Sequence, residues 1–155
     1  LISMGLSDNK EQKIEKALRD VGLNESLLAR PSRQLSVGQA QRVAIARALI
    51  VEPCVLVADE PTSSLDPVSR QQVLDLFVSI QQRRQMRLIL VTHDLNAAEA
   101  LCDEILVLDK GQVAEYGEAK QVMKQPKHMT TRALLSAQKT NHEYTKTIGE
   151  VSYAP

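Results

Sequence analysis

Apolar positions gather into two short unbroken runs set between stretches of helical period. Residues 54–58 are apolar throughout and lie between Pro53 and Asp59, and residues 88–92 are apolar up to Thr92, which precedes His93. That pattern predicts strands covered on both faces, as in a parallel sheet. Ahead of the first run, residues 38–51 read as a helix with Ser36 as N-cap and Pro53 as its stop. Between the runs, Asp66 caps a second helix with Pro67 at its first position, and Val73, Leu76, Phe77 and Ile80 mark its buried face. Strand, helix and strand make a right-handed parallel crossover the default. The carboxyl ends of both strands then share one sheet edge.

The flanks read as helices and one hairpin. Residues 10–21 are polar, with Ile14, Ala17, Leu18 and Val21 at helical spacing before Gly22; residues 24–28 form a further turn. Residues 96–101 are a short helix. Asp109-Lys110-Gly111 is a hairpin turn between strands at 104–108 and 112–115. Helical stretches at 119–124 and 130–137 are separated by Pro126, and from Lys139 the chain is polar and patternless, expected to be a mobile tail.

Charge and composition narrow the partners. Lys plus Arg and Asp plus Glu both number 19, so no basic field attracts a phosphate backbone, and 3% aromatic content leaves little to stack on bases. Nucleic acid is disfavoured as a partner on these grounds, and none is expected. No apolar run approaches the roughly 18 residues of a membrane-spanning helix. Cys54 and Cys102 lie without metal-like spacing and read as buried thiols in a reduced, cytosolic setting.

Candidate chemistry sits at the end of the first strand. Asp59 and Glu60 are adjacent acids where the apolar run stops, and in open α/β sheets the ligand crevice lies beyond such strand ends. An isolated acidic pair would be a solvated turn. The helix start at Ser36–Gly38 offers free amides and a positive dipole end to an anion.

The strings LSVGQ, AQRVAIARAL, VLVADEPTSSLD and VTHD, in that order, resemble the ATP-binding subunits of ABC transporters. The resemblance runs from about Asn9 to Ala137. It implies a P-loop NTPase fold: a three-layer α/β core with a parallel central sheet, here incomplete, plus the end of a helical subdomain. The implied division is 1–34 for that subdomain, 35–117 for the signature-to-switch part of the core, 118–138 for a helical extension and 139–155 for the tail.

By the same resemblance, Leu35, Ser36, Val37, Gly38 and Gln39 are the signature, contacting ATP bound by a partner subunit, and Asp66 ends the D-loop that contacts that partner. Asp59 holds Mg²⁺ through a water, Glu60 is the general base and His93 the switch histidine. Val37 stands where the family commonly has glycine, and Ala40 where it has arginine. The implied cofactors are ATP and Mg²⁺. The implied partners are a second ATPase subunit and membrane permease subunits, with a solute-binding protein engaged indirectly. The implied location is the cytoplasmic face of the membrane.

No GxxxxGK[ST] phosphate loop occurs in the 155 residues. The resemblance is therefore to the carboxyl-terminal part of a subunit, expected to be inactive alone. The segment QPKHMTTRALLSA resembles the tail of the peptide and nickel importer branch, with Met129 and Thr130 replacing its proline and tyrosine. Two other readings stay open: a non-catalytic regulatory or vestigial protein, and a soluble ABC-type ATPase.

Overall fold

The computed structural model describes residues 4–138, which fall into two compact units meeting at Ile89–Leu90. The tail expected at 139–155 lies outside the described residues.

The first unit is built on three helices. Helix α1 (Met4–Asp20) starts earlier than its periodicity predicts, and a 3-10 turn, Glu25–Ala29, follows under a cap in which Asn24 accepts from the Ser26 amide. Helix α2 (Val37–Leu49) stops before Pro53, because Glu52 takes a left-handed φ of 51° ahead of it. Strand β1 (Val55–Asp59) leads through a turn to α3 (Pro67–Arg84), then into β2 (Arg87–Val91). The β1–β2 pair is a small parallel sheet, opened by the Arg87 amide donating to the Cys54 carbonyl at 3.0 Å.

Leu18 and Val21 of α1 and its turn, Ile45 and Leu49 of α2, and Val73, Phe77 and Ile80 of α3 are buried. A polar clamp adds direction to this apolar packing. Arg84 donates to the Asp20 carboxylate and, through Nη1, to the Leu49 carbonyl at 2.9 Å, so one side chain ties the ends of all three helices. Arg42 does similar work, donating to the Val21 carbonyl at 3.1 Å and to Gln72 at 3.0 Å.

Two expectations are corrected here. Strand β1 is covered on one face only: Leu56 and Ala58 are buried, whereas Val55 and Val57 are 46% and 61% exposed. In β2, Ile89 and Val91 are also exposed. The unbroken apolar runs therefore alternate in burial, with one face of each strand exposed. The cysteines are not both interior: Cys54 is exposed, and only Cys102 is partly covered, where burial beside Asp103 pushes its thiol up.

The second unit centres on a hairpin. After α4 (Leu95–Leu101), strands β3 (Glu104–Asp109) and β4 (Gln112–Glu118) pair antiparallel. Lys110 and Gly111 both have positive φ, 49° and 76°, which gives the turn the twist that tight hairpins need. Helix α5 (Ala119–Lys124) and helical backbone over 129–138 complete the unit. Ala98, Ile105, Val107, Ala119 and Val122 form its core, with Leu134 packed against it.

Glu115 anchors the approach to the last helix, accepting from the Lys127 and His128 amides at 2.9 and 3.0 Å. Its carboxyl is held down at about 2, with the Thr131 hydroxyl as the largest cause and those two amides next. The buried Thr131 hydroxyl meets no partner within hydrogen-bond geometry, so the weight falls on the amides. A depressed folded-state pKa stabilises above the unfolded value of about 4.5 and loses that contribution as pH falls towards 2. Glu115→Gln is expected to lower the thermal midpoint at pH 7. The difference from the parent should shrink steadily between pH 5 and roughly pH 2. A constant difference across that range would contradict the anion's role.

Candidate functional site

Three pieces of the candidate site lie in the first unit. At the start of α2, Ser36 forms a capping box: its hydroxyl accepts from the Gln39 amide at 3.2 Å, and the Gln39 side chain accepts from the Ser36 amide at 3.0 Å. The box leaves the Val37 and Gly38 amides without intrahelical acceptors, facing a region where Ser36 and Val37 are exposed. A Cβ on Gly38 would meet Ser69 at an ordinary 3.6 Å, so packing within this chain does not require glycine there. Gln39 is drawn back onto the cap, and its carbonyl oxygen is already used.

The acidic pair closes β1. Asp59 is exposed, and Glu60 is half-buried with a left-handed φ of 43°. Such a backbone is uncommon for a residue with a long side chain and persists only where the surroundings hold it. Ser63 supplies part of that hold: its hydroxyl donates to the Glu60 carbonyl at 3.1 Å and its amide at 3.4 Å, while Thr62 is 3% exposed. Sequence reasoning missed this use of Ser63, although a hydroxyl three residues after a turn start is a recognised local signal.

Asp66 is an N-cap, accepting from the Val68 and Ser69 amides at 3.0 Å each. The Ser69 hydroxyl and amide hold its carboxyl below the usual range. The second oxygen takes no part in those two amide bonds.

His93 belongs to the second unit, exposed in the turn between β2 and α4. Asp94 caps α4 by accepting from the Asn96 and Ala97 amides, and its own amide donates to the Thr92 hydroxyl at 3.0 Å. Gln138 donates to the His93 carbonyl at 3.0 Å and to Asp94 Oδ1 at 3.4 Å. No pattern in the sequence points to Gln138.

Among the described residues no group of three or more His, Cys, Asp or Glu side chains could hold a metal ion by itself. The exposed Asp59 carboxylate suits a hard cation such as Mg²⁺ completed by waters and substrate phosphates, the usual mode for that ion.

Solved structures share this fold. CbiO1 of Clostridium perfringens, described as part of the ABC transporter complex cbiONQ, superposes with a TM-score of 0.68 at 33% identity over 91% of this chain and 52% of its own. Residues 3–63 match the family described as ABC transporter. The fold is that of an ABC transporter ATP-binding domain.

Other relatives of this domain agree. The dimeric ATP-binding cassette MJ0796 bound to ADP and Pi gives a TM-score of 0.61 at 32% identity, over 70% of this chain and 46% of that one. The di/tripeptide transport ATP-binding protein DppF of Pseudomonas aeruginosa is 41% identical over 92% of this chain and 44% of its own length. The methionine import ATP-binding protein MetN of Staphylococcus haemolyticus is 44% identical over 83% and 38%. The chain therefore spans under half the length of the curated relatives it matches. No helix among the described residues is long and apolar enough to cross a membrane.

Proposed function

We propose that this chain forms the hydrolytic and trans-acting part of the ATP-binding subunit of an importer for peptides, nickel or similar small solutes. The observation that carries the reading is the Asp59–Glu60 pair at the carboxyl end of β1, with Glu60 held in a left-handed backbone. Support for peptides as cargo comes from the tail segment 125–137 and from the di/tripeptide relative.

ATP hydrolysis asks for positioning and charge stabilisation more than covalent chemistry. Glu60 orients and polarises the attacking water as general base. His93 donates to the γ-phosphate. Asp59 would hold Mg²⁺, which neutralises phosphate charge when bound. The amides at the start of α2 meet a nucleotide held by the partner subunit, and Asp66 touches that partner through the oxygen left over from capping. The subunit would sit against permease subunits on the cytoplasmic face of the membrane.

A joined polypeptide, residues 1–155 preceded by an amino-terminal segment that carries a GxxxxGK[ST] phosphate loop from an ABC transporter ATP-binding subunit, allows a test. Ser36→Arg should abolish ATP-dependent dimerisation and leave nucleotide binding by the monomer within about twofold, because the cation fills the place of the partner's phosphates. Unchanged ATP-driven dimers on a sizing column would count against the trans role. A non-catalytic regulatory role is the second reading, favoured by the lack of a phosphate loop in these residues.

A further inference from the structure

The tail segment 126–138 is fastened at both ends. At its start, Glu115 accepts the Lys127 and His128 amides, and the Thr130 hydroxyl donates to Asp109 at 3.0 Å. Arg132 folds back on the same turn, donating to the Pro126 and Lys127 carbonyls at 3.0 Å each. Both carboxylates belong to the hairpin. Leu134 packs against the core cluster midway along. At the far end, about 14 Å along the helix axis from residue 129, Gln138 grips the His93 carbonyl and the Asp94 side chain.

That grip falls on a turn already constrained from the other side. Asp94 is fixed by Thr92 and by its cap on α4, so the His93 carbonyl is the backbone group between these anchors that the tail holds directly. A bond to the carbonyl orients the peptide plane that carries the His93 side chain.

We infer that the tail helix is a strut that sets the turn carrying His93, with Gln138 as a positioning residue for the histidine. The inference rests on the reading of His93 as a group acting on the γ-phosphate. It assigns the importer-like tail a role inside the ATPase unit: what perturbs the tail perturbs the histidine.

The test uses Gln138→Ala, Gln138→Lys and Gln138→Glu. Lysine keeps a donor for both acceptors; glutamate loses it and sets a second carboxylate beside Asp94. In residues 1–155, Gln138→Ala and Gln138→Glu should speed amide hydrogen exchange across 93–98, with Gln138→Lys close to the parent. In the joined polypeptide, Gln138→Ala should lower kcat about 3- to 10-fold, the value of one ordinary hydrogen bond. KM for ATP should stay unchanged, Gln138→Lys should recover most of the loss, and Gln138→Ala should add nothing to His93→Ala. Unchanged exchange overturns the strut. Faster exchange with parental kcat, where His93→Ala itself impairs turnover, overturns the positioning role. If His93→Ala leaves turnover intact, the reading of His93 fails separately, and the exchange data alone decide for or against the strut.

Discussion

Glu60→Gln in the joined polypeptide is expected to keep ATP binding and to cut hydrolysis about 10²–10⁴-fold, the usual worth of a positioned general base. The substitution removes the proton acceptor and keeps size and shape. It also keeps the features that place the side chain: the end of β1, the φ of 43° and the two bonds from Ser63 to the Glu60 carbonyl, all of which engage the main chain of residue 60. Loss of turnover can therefore be assigned to the carboxylate. Single-turnover phosphate release beside equilibrium ATP binding is the measurement, and hydrolysis within about threefold of the parent would remove Glu60 from its role.

Residues 1–155 on their own are expected to release no phosphate from Mg²⁺-ATP above a Glu60→Gln control. The Asp59 carboxylate supplies at most part of a Mg²⁺ shell, and no group of three or more metal-binding side chains stands among the described residues to complete it. Without backbone amides and a lysine to hold the triphosphate, a water polarised by Glu60 has no positioned phosphorus to attack. Correct positioning is worth on the order of 7–11 kcal/mol in such reactions, so its loss exceeds what the acids can contribute. Turnover above the control at micromolar ATP would mean that the phosphates bind elsewhere in this chain.

Much of this was legible because it is local. Ser36 before a helical stretch, Asp66 before Pro67, and Asp109-Lys110-Gly111 between two strand runs each specify a cap or a turn from neighbouring residues alone, and the structure has all three. The buried face of α3, with Val73, Leu76, Phe77 and Ile80, followed from period in the same way. What was not legible depends on distant groups. The run of 54–58 cannot reveal that one face of β1 stays open, since an apolar run is compatible with either outcome, and Cys54 was misread with it. The Arg84–Asp20 clamp joins residues 64 apart, and Gln138 meets His93 across 45. The left-handed Glu60 is a third case, because nothing in Asp-Glu-Pro requires a positive φ until Thr62 is buried and Ser63 bonds back.

The central claim is that these residues supply the base and the trans contacts of a composite ATPase site whose phosphate cradle lies outside them. The most direct measurement is phosphate release at saturating Mg²⁺-ATP by three proteins: residues 1–155, the joined polypeptide, and the joined polypeptide with Glu60→Gln. Release only from the second is the result predicted. Equal release from the second and third, or release from the first, would contradict it.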